Sequence, residues 1–455
     1  MLIIAKFQVP TLFCVFCGSE YGKLLTITMY YADFHIHSKY SRATSPMCTP
    51  EGLAQWAQLK GITVCATGDC THPQWITELK KKLVEAPDAD GLYQLTREAQ
   101  KAADQDVPDA CRAPVRFIVT GEISSIYKRG GRVRKVHSII VLPSLEVAER
   151  VNAKLGEIGN IVSDGRPILG LDPCRLLELL LETDPRCALI PAHIWTPWFS
   201  MLGAKSGFDS VEECFGDLTS HIFAVETGLS SDVPMNRRIR CLDNLTLISN
   251  SDLHSPSNLG RNATVFHGKP GYDAMLSAMR TRDPKGWGGT IDLFPEEGKY
   301  HLDGHRVCGV CMEPEESMAC NNICPVCNKE LTIGVLHRVV ELERKGGPPV
   351  AARSLQIADD LYRYIIPLPE LIAQTLNVGD TSKKVLAAYQ KILAEHGNEL
   401  ALLLDSPDSA MDSLGQVGAC IRAVRAGRVT RKGGFDGEYG VIRAEIRCFS
   451  FNIQS

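Results

Sequence analysis

"YADFHIHSKYSRATS", residues 31–45, sets an acid and two histidines at every second position: Asp33, His35 and His37. In a β-strand, side chains two apart share a face. Those three then project together, while Phe34 and Ile36 pack on the other side. Taken alone, the same pattern also marks a strand with one wet face. Its meaning depends on what the rest of the chain places beside it.

From about residue 29 to 290, short β-rich runs alternate with helical ones. "TPEGLAQWAQLKG" (49–61) reads as a capped helix, with Thr49 at the cap, Pro50 in the first turn and Gly61 closing it. Strand-like runs follow in "ITVCATGD", "VRFIVTGEIS", "VHSIIVLP", "CALIPAHIW", "IFAVETG" and "LTLISNSD". Helical segments such as "LEVAERVNAKLGEI" and "PCRLLELLLET" separate several of them. Strand then helix, repeated, predicts a mainly parallel sheet or an α/β barrel. The runs end in residues that bind metals: Asp69 and His72, Glu122, His137, His193, Glu226, then Asp252 and His254. With His35 and His37, six of the chain's twelve histidines fall in this set. Strand ends of an α/β barrel converge on one face, so residues more than 200 apart can meet in one pocket.

Imidazole and carboxylate ligands suit zinc, manganese or iron, with magnesium also open. More than four ligands imply more than one ion, about two or three. Closely spaced ions clamp the attacking and leaving oxygens of an in-line displacement, which is the equipment of phosphoester hydrolysis. A shared carboxylate is needed between them, and Glu122 is the candidate.

The strings "DFHIHS", "TGDCTHP", "TGEI", "VHSIIV", "PAHI" and "NSDLHS" resemble the motifs of the PHP superfamily of polymerase and histidinol phosphatases. "PAHIWTPWFSMLGAKSGFDS", "ETGLSSD", "SNSDLHSP" and "FPEEGKYHLDGHRVCGVC" are similar to one branch of it, endonuclease Q. The resemblance covers about residues 29 to 445. It implies an α/β fold: a distorted seven-stranded barrel, then a four-cysteine zinc-ribbon module and a helical C-terminal domain. It implies cleavage of DNA 5′ of deaminated bases (uracil, hypoxanthine, xanthine) and of abasic sites. It carries the metal-ligand role to His35, His37, His72, Glu122, His137, His193, Asp252 and His254. Glu122, Asp252 and Asp69 are then the catalytic carboxylates, with Asp33 and Glu226 orienting ligands. "DCTH" separates Asp69 from His72 where the superfamily has an adjacent pair, which leaves open whether Asp69 binds metal or orients a ligand. Asn262 stands where the resemblance predicts an acid.

Cys308 and Cys311, with Cys324 and Cys327, form two C-x2-C knuckles, the spacing of a closed structural zinc site. Cys320, His301 and His305 are spare ligands nearby. "YKRGGRVRKVH" (127–137) reads as a hairpin with its basic residues at the rim of the site, among them Arg132, Arg134 and Lys135. Arg42 and Arg261, beside ligand motifs, suit the scissile phosphate. Reading a lesion requires an extruded base, for which Trp195 and Trp198 offer stacking surfaces, against the alternative of core packing.

The boundaries drawn are 1–28, a leader that is disordered or an overlong start; 29–290, the metal-binding domain; 291–345, the zinc module; and 346–455, a helical C-terminal domain after the linker "KGGPPVAA" (345–352). The net charge of −4 argues against a broadly basic nucleic-acid coat. Seventeen cysteines, mostly single in apolar runs, suit buried thiols in a reducing compartment, so the expected location is cytoplasmic, with no membrane partner. Damaged DNA is the partner expected; a sliding clamp and the oligomeric state are left open. The rival functions are a small-molecule phosphatase on the same site, with no use for the zinc module, and a non-enzymatic nucleic-acid binder.

Overall fold

Strand β1 (Met29–Asp33) lies between a parallel and an antiparallel neighbour, and this sets the character of the sheet in the computed structural model. The structure describes residues 28–346 and 361–446. The leader expected up to residue 28 and most of the linker lie outside them. After β1 come β2 (Ile62–Ala66), β3 (Leu83–Glu85), β4 (Tyr93–Leu95), β5 (Arg116–Arg129) and β6 (Arg132–Leu142). Next are β7 (Ile168–Leu169), β8 (Ala188–Pro191), β9 (Ala224–Glu226), β10 (Thr246–Ile248), β11 (Ala263–His267) and β12 (Trp287–Asp292). The later strands are β13 (Asp303–His305), β14 (Val310–Met312), β15 (Tyr362–Tyr364), β16 (Val429–Lys432) and β17 (Val441–Ala444).

The large sheet runs β15-β12-β11-β1-β2-β5-β4-β3, with β6 and β7 also on β5 and β8 on β6. It is mixed, where the strand–helix alternation predicted a mainly parallel sheet or an α/β barrel. β1–β2 and β2–β5 are parallel, but β5–β6, β6–β8, β1–β11 and β11–β12 are antiparallel. The largest departure has a local cause. Gly130 and Gly131 both take positive φ, 59° and 74°, so β5 turns back on itself in two residues. Such a turn matches the twist of an antiparallel pair and dispenses with a crossover helix. Beyond β8, Ile194 N donates to Glu226 O at 3.1 Å, and β9 pairs parallel with β10. His37 N donates to Leu253 O at 3.1 Å, which brings the segment after β10 back to the segment after β1.

Local chemistry fixes the flanking helices as read. The side chain of Thr49 accepts from Gly52 N, Pro50 begins helix Pro50–Lys60, and Gly61 closes it at φ 89°. Phe34 and Ile36 are buried in the core opposite the histidine face.

The C-terminal part is mostly helical (Leu368–Leu376, Lys383–His396, Glu399–Leu404, Gln416–Arg425), yet three features tie it to the rest. β15 extends the large sheet parallel to β12. The β16–β17 hairpin leads into Gly434 and Phe435, which bond to Glu296 and Leu302 beside the β13–β14 module. Lys60 and Glu399 form a buried ion pair at 2.7 Å, and Tyr389 Oη and Leu368 N donate to the same carboxylate. Among the described residues no helix is long and apolar enough to cross a membrane.

Candidate metal centre

His35 and His37 leave β1 still alternating, and both rings are buried on the face that also receives Glu122 from the middle of β5 and Asp252 from the loop after β10. His35 Nε2 stands 3.3 Å from Glu122 Oε2 and 3.7 Å from Asp252 Oδ1. His37 Nε2 stands 3.2 and 3.3 Å from the same two atoms. A second group adjoins the first. His137 Nδ1 and His193 Nε2 lie 2.6 and 3.2 Å from Glu122 Oε1. In each group the ligand atoms lie within 4.8 Å of one another, and Glu122 is common to both.

The rings are turned by carboxylates behind them. His35 Nδ1 is 3.0 Å from both oxygens of Glu226, which also accept from His193 N and Asn250 Nδ2. His37 Nδ1 is 3.1 Å from Asp69 Oδ1, whose other oxygen accepts from Ser38 N, Ser38 Oγ and Ser41 Oγ. A carboxylate on Nδ1 draws the ring proton there and leaves Nε2 with a bare lone pair. Asp33 works on the backbone instead, accepting from the N–H groups of His35, Ser251 and Gly260.

Three buried atoms facing this centre, His35 Nε2, His37 Nε2 and Asp252 Oδ1, have no hydrogen-bond partner among the described residues. Buried polar atoms are nearly always satisfied. Three orphans converging on one shared carboxylate fit a cation, so the donor set passes the test that a divalent site requires.

Charge agrees with that reading. Burial disfavours ionised Glu122, but His137, His35 and Arg166 outweigh it and hold the carboxyl well below its usual range. Burial pushes His137 down to about 4 against the pull of Glu122, which keeps it neutral as a ligand must be. Burial disfavours a charged His35, but Glu226, Glu122 and Asp252 outweigh it and raise its pKa; the same three carboxylates would be neutralised by a cation held at Nε2, which would take the place of that proton. The backbone is strained here as well. Asp69, His193 and Asp252 take φ of 45°, 28° and 46°, a region non-glycine residues rarely adopt and one that clusters at functional sites.

Other residues singled out in the sequence are placed differently. His72 stays out of both groups: it caps helix Pro73–Lys82, accepting from Trp75 N on Nδ1 and donating from Nε2 to Val162 O at 2.9 Å. His254 packs against His37 with the rings tilted and their centroids 4.5 Å apart, at the edge of the centre. Asp69 orients His37 and is absent from both groups. Trp195 is core, its Nε1 donating to Asn236 Oδ1, which removes it as a stacking surface. Trp198 is 40% exposed and meets Tyr300 edge-on. Arg261 is bonded to the carbonyls of Ser251 and Asp252, holding the Asp252 loop. Arg134 bonds Gly207 O and packs over Phe208, Lys135 lies over Phe199, and Arg132 stands exposed at the hairpin tip. Arg42 is exposed and paired with Asp164. Asn262 bonds Ser249 Oγ and Leu293 N, a structural task. The residue overlooked is Arg166, whose Nη1 donates to Glu122 Oε2 at 3.2 Å. In "SDGRPILGLD" nothing marks it apart from its place between two acids, Asp164 and Asp172.

A second cluster gathers His305, Cys308, Cys324 and Cys327, with Cys327 Sγ 3.3 Å from His305 Nδ1. Cys311 is exposed on β14 and stays outside it. β13–β14 pairing sets Cys311 opposite Gly304, one residue before His305, and it is His305 that joins the three thiols.

Comparison with known proteins matches residues 367–428 to the family described as the MJ0043 C-terminal domain. A lesion-specific endonuclease of Pyrococcus furiosus, PfuEndoQ, superposes with a TM-score of 0.76 at 30% identity, over 91% of this chain and 95% of that one. A structure of endonuclease Q with a 27-mer duplex carrying an abasic lesion at the active site superposes at 0.77 and 29% identity, over 94% and 99%. The uncharacterized protein MJ0043 of Methanocaldococcus jannaschii is 29% identical over 55% of this chain, which spans 31% of that protein's length. The uncharacterized protein YqxK of Bacillus subtilis is 25% identical over 91% of this chain and 99% of its own.

Proposed function

The chain belongs to the endonuclease Q family, and from that premise we propose that it is a metal-dependent DNA repair endonuclease cutting 5′ of deaminated bases and abasic sites. The observation that carries the reading is the convergence of His35 Nε2, His37 Nε2 and Asp252 Oδ1, all buried and unpartnered, on a carboxylate shared with His137 and His193. His35, His37, Glu122 and Asp252 would hold one divalent ion, and Glu122, His137 and His193 another. When bound, such ions supply Lewis acidity to the phosphate and lower the pKa of water.

The chain's own residues do the rest. Glu226 and Asp69 keep the two imidazoles in the tautomer that presents Nε2 inward. Ser124 Oγ and Ser200 Oγ, at 3.1 and 3.2 Å, fix the outward nitrogens of His137 and His193. Hydrolysis joins a water oxygen to phosphorus and breaks the bond to O3′, leaving a 3′ hydroxyl and a 5′ phosphate, with no protein nucleophile. We read β1, β2, β5, β6, β8, β9 and β10 as the distorted seven-stranded barrel, and residues 291–345 as a zinc module that walls the substrate groove. Arg132 at the hairpin tip and Arg42 suit the flanking phosphates, which position a strand without reading its sequence. Trp198 is the surface on which an extruded base would stack.

A nicking assay tests the reading, on duplexes carrying one uracil, hypoxanthine or abasic site beside an undamaged control. Metal-dependent cleavage on the 5′ side of the lesion, lost in Asp252→Asn, is the expected result. Turnover of a generic phosphate monoester with all duplexes left intact would replace it with a phosphatase.

A further inference from the structure

The loop 162–167 runs along the rim of the metal centre, and several contacts pin it there. His72 donates to Val162 O, and Tyr40 stacks on the His72 ring with centroids 4.4 Å apart. Gly165 N donates to Tyr40 O at 3.0 Å, and Thr71 Oγ1 donates to Gly165 O at 3.2 Å. Asp164 accepts from Arg42 N and from Arg166 N. The tightest contact is at Gly165, where a Cβ would fall 2.2 Å from Asp69 Oδ2, on the carboxylate that orients His37. Only a residue without a side chain lets the loop come so close.

This fixation delivers one group to the centre, the Arg166 guanidinium. Nη1 donates to Glu122 Oε2, and its other donors make no bond among the described residues. The side chain is 29% exposed, so it is neither sealed in the core nor free on the surface. Contrast Arg261, committed to two backbone carbonyls, and Arg42, largely exposed and paired with an acid. Among the described basic residues near the ligands, Arg166 alone combines fixed placement, contact with the shared carboxylate and donors left over. A guanidinium forks onto two oxygens of a phosphate, and in a sheltered site such a contact strengthens as charge builds in the transition state.

We propose that Arg166 is a catalytic residue that donates to the non-bridging oxygens of the scissile phosphate, and that His72 and Gly165 are the positioning residues which set its loop against Asp69. The inference rests on the phosphodiesterase reading. It assigns His72 a task on the rim in place of the ligand role its motif implied.

The test compares wild type, Arg166→Ala and Arg166→Lys on a duplex with a tetrahydrofuran abasic analogue, under single-turnover conditions. Bound metal is measured by mass spectrometry. The competitor is the same duplex with an uncharged methylphosphonate at the linkage 5′ of the lesion. Arg166→Ala should lower the rate at saturating DNA by ~10²–10³-fold with metal content unchanged, and Arg166→Lys should recover part of it. The methylphosphonate duplex should compete equally well against wild type and Arg166→Ala, since it has no charge to lose. Metal loss in Arg166→Ala, or competition weakened as much as the rate, would make the residue structural and overturn the proposal. A wild type that leaves the lesion duplex intact would sink the endonuclease reading instead. Phosphate-monoester turnover by the same three proteins would then decide the role of Arg166.

Discussion

Both carboxylate oxygens of Glu226 lie 3.0 Å from Nδ1 of His35, so the ring is held across a forked acceptor. The same carboxylate also takes His193 N and Asn250 Nδ2, and so ties a ligand of each group to one anchor. Glu226→Gln should keep the fold yet lower metal affinity by about 10–100-fold, the usual cost of losing such a partner. Competitive titration with a chelating dye reads this directly. Unchanged affinity would mean that the ring needs no orienting.

Glu122→Gln should be more severe, because the carboxylate is common to both groups. Nicking should fall by at least ~10³-fold, and bound metal in the large domain should drop below the wild-type complement. Circular dichroism should stay as in the wild type. Full metal occupancy in this variant would show that the two groups do not share the residue.

The cysteine cluster makes a prediction against the simplest spacing rule. Cys327→Ser and His305→Ala should each release one equivalent of zinc more readily to a chelator. Cys311→Ser should not, since Cys311 lies outside the cluster. If Cys311→Ser alone released the metal, two regular C-x2-C knuckles would be restored as the ligand set.

Asp292 gives a pH dependence away from the metal centre. Burial raises its carboxyl to about 7, although Thr290 and Ser249 donate to it and pull the other way. Between about pH 4 and 7 the folded state therefore holds a proton that the unfolded chain has released. Stability from this group is complete below about pH 4 and is lost as pH rises through 7, at up to ~1.4 kcal/mol per unit. Asp292→Asn should flatten that slope in denaturant titrations run at several pH values. A slope identical to wild type would assign the dependence elsewhere.

Much of the centre was legible because its residues obey local rules. His35 and His37 alternate on one strand, and Glu122, His137, His193 and Asp252 sit in short runs whose β character is plain. What was missed depends on approach in space. Arg166 matters only because Gly165 lets its loop touch Asp69, and no spacing encodes that contact. His72 lies outside both groups, and a local signal for its place existed: a polar residue followed by proline, "HP", is a helix start, and capping competes with ligation for the same ring nitrogen. The mixed sheet was missed because the "GG" hairpin signal was read for its charges and not for the strand direction it imposes.

Lys60 and Glu399 set a limit on how the gene can be cut. A fragment ending at residue 346 would remove Glu399 and Tyr389, the counter-charge and the ring packed over the Lys60 ammonium, and would expose that face to water. It would also bare the β12 edge that β15 covers, and an open edge invites pairing with other copies. Subcloning the nuclease half alone should yield inclusion bodies, whereas co-expressing residues 361–446 in trans offers a route to a soluble split enzyme.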